Sequence, residues 1–298
     1  MTPLPPETIH LPFERGPYRM AMGLVTVPET EWFAIDDRYP MEIAERQRQM
    51  AERHSDVIGM EPGSGAACAE TLTMLIDHLT RVHPDWFACD GTVFHNHLTG
   101  ASWPLDDYEP LALAGRLVQE DLCLIGASPE GPRLTAAVVC FPSRWRLQEK
   151  LGRPLAEVHA RVPFYGDRLA RPVDRFMGHV RPGHISARLN WSVMADPTLF
   201  QPTGKWRTAH DATITAQNAG DCLFLRVERQ TLRRLPVSGA VLFGIRVHVY
   251  PLAGAVTTPG SAAGLAAAVR ALPAETAHYK SLPMFQTALL GWLDRRAS

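Results

Sequence analysis

Twelve histidines are spread along the 298-residue sequence, and the surroundings of His159 best suit a metal ligand. It ends the segment 154–159, which begins with a proline and is predicted to form a short helix. Leu155 and Val158 give this segment an apolar face beside the imidazole. A neutral imidazole nitrogen in an apolar pocket is what an axial haem ligand requires. The same pattern also fits a histidine that is only part of the core.

Three other histidine groups could offer metal ligands, but each is more typical of a polar loop. They are His95 with His97 on one side of an extended segment, His179 with His184 around a Pro-Gly turn, and His210 before an aspartate. The five cysteines include no Cys-x-x-Cys pair, which excludes a zinc ribbon, a thioredoxin-type redox pair and an ordinary iron–sulfur ligand set. Their odd number and scattered positions favour reduced thiols in a cytoplasm.

Charge and hydropathy exclude further classes of function. Thirty basic side chains face 31 acidic ones, so the sequence gives no basis for binding nucleic acid or an anionic membrane. No apolar run approaches the roughly 20 residues that span a bilayer. The first residues lack the basic and apolar regions of a signal peptide, so we expect a cytoplasmic protein. P-loop and nucleophile-elbow motifs are absent as well.

Arginines cluster around two of the predicted strands. They are Arg188, Arg226, Arg229, Arg233 and Arg234. Guanidinium groups pair well with carboxylates, including the propionates of a haem. The alternative is that they keep strand edges soluble and pair with Glu228.

The order of predicted elements favours an α+β fold, because helices and strands alternate in blocks and not as regular βαβ units. Predicted helices cover 41–54, 66–82, 107–121, 143–151, 154–159, 264–272, 274–280 and 284–295. Predicted strands cover 122–126, 134–141, 184–193, 222–228 and 240–250, and the first two form a hairpin. Residues 252–263 are predicted to be a loop. We expect an extended arm over 1–17, one main domain over 18–252, and a loop with C-terminal helices over 253–298.

A series of short motifs resembles the haem-carrying alpha subunit of the haem-dependent oxidative N-demethylase family. The motifs are PYRMAMGL at 17–24, Trp32 with Asp36 and Tyr39, VQEDL at 118–122, CFPSRW at 140–145, EKLG at 149–152, Val158-His159 with Val162-Pro163, RLNW at 188–191, ERQTL at 228–232, and Leu235-Pro followed by SGAVLF at 238–243. They run in order through roughly 12–250. A series of this length is far more specific than any one of its members.

The resemblance implies a PAS-like antiparallel sheet with flanking helices that holds haem b. It also implies oxidative removal of a methyl group from a small secondary amine such as dimethylamine, with O2 consumed and formaldehyde released. Two electrons would come from a separate flavin/iron–sulfur reductase subunit. One departure from the family pattern is Arg161, where the family usually has a proline before Val-Pro; this charge bears on the substrate more than on the haem.

The resemblance and the residues together assign provisional roles. His159 is expected to bind the iron, and Arg188, Arg229 and Arg233 are expected to hold the propionates. A small ammonium needs a carboxylate or aromatic faces, and Glu228, Trp191 and Tyr165 are the residues we expect to supply them.

Two alternatives from other classes remain open at this level. One is a haem-binding PAS sensor that binds a gas and consumes no amine, since PAS domains are more often sensors. The other is a haem-free protein that binds a small molecule, in which His159 is a core residue. Turnover separates the first alternative from an enzyme, and a Soret absorption band excludes the second.

Overall fold

A computed structural model describes residues 2–15 and 21–298, apart from the side chains of residues 14 and 15. Ten strands lie in these ranges: β1 Val25–Val27, β2 Ile58–Met60, β3 Phe87–Cys89, β4 Val93–Asn96, β5 Ala101–Pro104, β6 Asp121–Gly126, β7 Arg133–Val138, β8 Ile185–Met194, β9 Phe224–Arg234 and β10 Val241–Pro251. Seven of them form an antiparallel sheet in the order β1-β8-β9-β10-β6-β7-β2, and β3, β4 and β5 form a small second sheet.

The described ranges also contain twelve helices. They are α1 Tyr39–Glu52, α2 His54–Val57, α3 Gly65–Val82, α4 Pro110–Leu117, α5 Leu155–Val158, α6 Tyr165–Arg168, α7 Ala170–His179, α8 Ala219–Cys222, α9 Leu252–Ala255, α10 Pro259–Arg270, α11 Ala274–Tyr279 and α12 Gln286–Ala297. The predicted α+β class is therefore confirmed. None of these helices has the length and apolar character needed to cross a membrane.

The two faces of the large sheet are covered differently. Side chains alternate between the faces along a strand, so odd-numbered residues of β8 and β9 share one face. Trp191, Val193 and Val227 on that face pack against the C-terminal helices through Leu289 and Trp292. On the opposite face, residues of β6, β9 and β10 pack against α5 and the chain after α7. This second face carries the cavity described below.

Most predicted elements are confirmed, with shifted bounds. α1, α3, β6, β7, β8, β10 and the β6–β7 hairpin lie where the sequence patterns predict them. The predicted strand 222–228 is longer, because β9 continues to Arg234 and pairs with β8 and β10 along its length. Residues 2–11 form neither helix nor strand, and a short 3₁₀ turn follows at Pro12–Arg15. Residues 1, 16 and 17 of the predicted arm lie outside the described residues.

Two predictions about local structure are wrong. Residues 143–151 do not form a helix capped by Ser143; they contain only a 3₁₀ turn at Leu147–Glu149. The Ser143 hydroxyl instead accepts a hydrogen bond from Nε of buried Arg226 at 2.9 Å, and Arg144 has a φ of 63°, which a helix cannot contain. The predicted loop 252–263 contains α9 and the start of α10, which Thr258 and Ser261 begin with a capping box.

Candidate functional site

A cavity of about 360 Å³ lies between the large sheet and the segment α5–α7. This volume falls in the range of roughly 300–1,000 Å³ that is typical of small-molecule and cofactor pockets. Its floor comes from facing positions on neighbouring strands, because Arg188 lies opposite Gln230 and Gln230 lies opposite Ile245. Leu155 and Phe176 are among the apolar residues of its walls. The sheet therefore supplies polar groups to the pocket, and the wall formed by α5–α7 is mainly apolar.

His159 lines this cavity at the end of α5. Its Nδ1 lies 2.8 Å from the carbonyl oxygen of Leu155. A carbonyl oxygen only accepts hydrogen bonds, so Nδ1 carries the proton and Nε2 of the neutral ring keeps its lone pair. No described residue forms a hydrogen bond with Nε2. The burial of His159 lowers the pKa of its imidazole from 6.5 to about 4, so the ring is neutral at physiological pH.

Tyr165 stacks on the imidazole of His159, with ring centroids 4.4 Å apart and planes inclined by 14°. The chain reaches this position through Phe164, whose φ of 61° turns the backbone between α5 and α6. The phenol is 4% exposed, and its hydroxyl has no hydrogen-bond partner among the described residues. Burial raises the pKa of Tyr165 to about 12, so the hydroxyl keeps its proton and can donate a hydrogen bond.

Glu228 is the only carboxylate among the described residues that line the cavity. It lies opposite Asn190 in the register of β8 and β9, and its carboxylate accepts hydrogen bonds from Asn190 Nδ2 at 3.2 Å and Gln230 Nε2 at 2.8 Å. Burial alone would raise the pKa of Glu228. The hydrogen bond from Ser143, the charge of Arg226 and the two amides outweigh burial and lower this pKa, so the group is a carboxylate at neutral pH.

Five cationic side chains line the same cavity: Lys150, Lys205, Lys280, Arg144 and Arg188. Lys150 Nζ donates to the carbonyl oxygen of Val158 at 2.9 Å. Burial lowers the pKa of each lysine to about 8, which still leaves the ammonium form dominant at neutral pH. Positive charge in the cavity thus exceeds the single negative charge of Glu228, and an anionic ligand would balance it.

Hydrogen bonds also hold the ends of the other two lysines, Lys205 and Lys280. Lys205 Nζ donates to the hydroxyl of Tyr279 at 2.7 Å, and Lys280 Nζ donates to the carbonyl oxygen of Trp191 at 2.5 Å. Arg144 Nη1 donates to the carbonyl oxygen of Lys280 at 3.0 Å. These contacts fix the ends of long, flexible side chains, so they reduce the entropy that is lost when a ligand binds.

The structure brings four of the predicted site residues to one cavity, namely His159, Arg188, Glu228 and Tyr165. Trp191 is not among them, because it lies on the odd-numbered face of β8. Its ring packs edge-on against Phe13, with centroids 6.1 Å apart.

Arg229 and Arg233 also lie on the face of the sheet that points away from the cavity. Arg229 is buried and donates to the backbone carbonyls of Glu31 and Trp32. The guanidinium of Arg233 lies 4.1 Å from the ring centroid of Trp32 and pairs with Glu29 at 3.2 Å. Both arginines therefore fasten the chain around 29–32 to the sheet.

The sequence patterns did not indicate the three lysines or Arg144. Lys150 and Arg144 belong to the motifs EKLG and CFPSRW, which could have pointed to them. Lys205 and Lys280 lie in segments without any motif, and only the fold brings them near His159. The other candidate histidines His179, His184 and His210 are all exposed; His184 and His210 lie in loops as expected, whereas His179 is the last residue of α7.

The donors of the cavity match the chemical needs of a haem. A neutral imidazole with an unpartnered Nε2 can bind iron, apolar walls suit the porphyrin ring, and buried ammonium and guanidinium groups suit the two propionates. Nδ1 donates a hydrogen bond to the carbonyl oxygen of Leu155. A hydrogen bond of this kind usually fixes the tautomer of a histidine that binds a metal.

Comparison with known protein families supports the same conclusion. Residues 23–290 match the model of a family described as "Haem-dependent oxidative N-demethylase, alpha subunit-like". The match covers nearly the whole chain and includes every residue that lines the cavity from Leu24 onward. The chain therefore belongs to the haem-dependent oxidative N-demethylase alpha subunit-like family and is a haem-dependent oxidoreductase.

Proposed function

We propose that the cavity would hold haem b through Nε2 of His159, and that the protein removes a methyl group oxidatively from a small secondary amine of the dimethylamine type. The observation that carries this proposal is the state of His159 in the wall of the cavity: a neutral ring, Nδ1 bonded to a carbonyl oxygen, and Nε2 without a hydrogen-bond partner among the described residues. Membership of the family supports the chemistry.

The haem, when bound, would supply the activation of O2 for attack on a C–H bond next to nitrogen. The protein's own residues would position the haem and the amine. We assign Arg188 and the three cavity lysines to the propionates. Positively charged side chains outnumber carboxylates in the cavity, so they can pair with an anionic group of a ligand. Tyr165 holds the plane of the His159 ring by stacking on it.

Glu228 is the group that we assign to the substrate ammonium. It is the only carboxylate among the described residues that line the cavity, so it is the protein charge there that can attract a positively charged amine. Its hydrogen bonds with Asn190 and Gln230 hold it in place, and its lowered pKa keeps it charged.

The overall reaction needs electrons from outside the protein. One amine, one O2, two electrons and two protons give the shorter amine, formaldehyde and water. The family's description as an alpha subunit supports a separate subunit as the source of the electrons, and we propose a flavin/iron–sulfur reductase.

Haem titration of the purified protein tests the proposal. We expect a Soret band near roughly 400 nm for the wild type. His159→Ala should bind haem far more weakly and remain folded. His179→Ala is the matched control, because His179 also has its Nδ1 bonded to a backbone carbonyl one turn earlier but is exposed.

Turnover is measured with the haem-loaded protein, a chemical or enzymatic reductant, O2 and dimethylamine. Formaldehyde release that depends on the amine supports the enzyme. Haem binding with no formaldehyde from any small secondary amine would contradict the proposed activity and would favour a sensor of gas or redox state. A wild-type protein that binds no haem would contradict the whole proposal.

A further inference from the structure

The segment over the cavity carries an excess of positive charge at the protein surface. Between residues 160 and 184 there are five arginines and two aspartates, whereas the chain as a whole carries a net charge of −1. The five arginines are Arg161, Arg168, Arg171, Arg175 and Arg181, and all are exposed. This segment therefore has a net charge of +3, and the rest of the protein is acidic overall.

Some exposed arginines elsewhere in the molecule are paired with carboxylates. Arg48, Arg81 and Arg153 each form a salt bridge with a carboxylate. None of the five arginines between 160 and 184 forms a salt bridge with a described residue. The guanidinium of Arg168 lies 5.1 Å from the ring centroid of Phe164, and no described carboxylate neutralises any of the five charges, so they are available to a partner.

Three of the arginines lie close together along α6 and α7. Arg171 and Arg175 are four residues apart on α7, which places them on one face of that helix, and Arg168 ends α6 just before it. Residues on the other side of α7, such as Val173 and Phe176, line the cavity. An α-helix with its side chains is about 10–12 Å across, so a partner on the outer face would lie about one helix diameter from the cavity.

We infer that this outer face, formed by Arg168, Arg171 and Arg175, is the docking surface for an acidic electron-donor protein. The inference rests on the proposed function, which requires electrons from outside. Charge complementarity selects the occupant, because unpaired guanidinium groups attract a surface rich in carboxylates and steer its approach. The position over the cavity brings the donor close to the group that must be reduced.

A binding measurement with a defined probe tests this inference. The probe is a fluorescently labelled, acidic plant-type [2Fe–2S] ferredoxin, and its anisotropy is titrated with the haem-loaded protein at about 20 mM salt. We expect R171E/R175E to raise the Kd about tenfold or more, because exposed charge pairs contribute modestly and four units of charge change. The control R295E/R296E makes the same change of charge on α12 and should alter the Kd less than about twofold. R171Q/R175Q provides a milder variant if the charge reversal prevents folding.

Several results would overturn the inference. One is a wild type that does not bind the ferredoxin. Another is an equal loss of ferredoxin affinity in the α7 and α12 variants. A third is a Kd that is unchanged at about 300 mM salt, where exposed charges are screened. Tighter binding of duplex DNA or anionic vesicles, with the same dependence on Arg171 and Arg175, would assign the surface to another class of partner. Haem titration of the wild type and the same variants is a separate readout. A wild type that binds no haem would contradict the proposed function. Variants that bind both haem and ferredoxin as the wild type does would contradict the docking surface alone.

Discussion

Replacement of His159 with glutamine is expected to remove a pH dependence from the stability of the haem-free protein. Burial lowers the pKa of this imidazole from 6.5 to about 4. Between these two values the unfolded chain binds a proton that the folded chain does not bind. The free energy of unfolding therefore falls as the pH falls from 6.5 to about 4, and glutamine has no proton to bind.

The size of this effect follows from the two pKa values. At about pH 4.5, linkage between a folded pKa of about 4 and an unfolded pKa of 6.5 lowers the free energy of unfolding by about 2.5 kcal/mol relative to neutral pH. Because the ring is only partly shielded and the cavity admits some solvent, we expect the measured difference to be nearer 2 kcal/mol.

Urea unfolding followed by circular dichroism at about pH 7.5 and pH 4.5 measures the difference. Wild type, His159→Gln and the exposed control His179→Gln are compared. Other buried histidines with a lowered pKa, such as His78 and His248, contribute equally to all three proteins and cancel. We expect wild type and His179→Gln to lose more stability than His159→Gln. Equal losses in all three proteins would show that His159 is not held neutral by burial and would refute the reasoning.

Three further predictions concern the site and the core. Glu228→Gln should raise the KM for the amine about tenfold or more without changing the haem titration, because a charged hydrogen bond contributes about 1.5–3 kcal/mol; formaldehyde release measures it. Arg226→Met should lower the free energy of unfolding by about 3 kcal/mol or more in urea, because this 1%-exposed guanidinium donates to a hydroxyl and to backbone carbonyls that would lose their donor. Gly220→Ala should cost about 1–3 kcal/mol in the same assay, because the new Cβ would lie 2.4 Å from a ring atom of Trp292, whereas Gly254→Ala meets nothing within 4 Å and is the control. The first expectation would be contradicted by an unchanged KM in Glu228→Gln, and the second by a normal free energy of unfolding in Arg226→Met. The third would be contradicted by equal losses of stability in Gly220→Ala and Gly254→Ala.

Elements with a strong hydrophobic period could be predicted from the sequence. The predicted helix 66–82 is α3, Gly65–Val82, because Leu72, Leu75 and Leu79 repeat at helical spacing. The alternation from Val241 to Val249 predicted β10, and its register with β9 places those residues on one face. The strands β3–β5 and the helices α6 and α7 were not predicted, since three- and four-residue elements show no period and α7 carries a proline in its first turn.

The site could be predicted only in part. His159 was predictable because its helix and its ligand environment are adjacent in the sequence. The choice between Glu228 and Arg229 was not, because both faces of β9 are covered and the sequence does not show which face holds the cavity. Lys205 and Lys280 lie 46 and 121 residues after His159, and only the packing of the C-terminal helices and the loop before β9 brings them to the same pocket.

The central claim is that Nε2 of His159 binds the haem iron. The most direct test is the absorption spectrum of His159→Gly loaded with haem, recorded before and after free imidazole is added. We predict a spectrum that differs from the wild type and returns to it when imidazole fills the space of the missing side chain. A His159→Gly spectrum that is identical to the wild type without added imidazole would show that another group binds the iron.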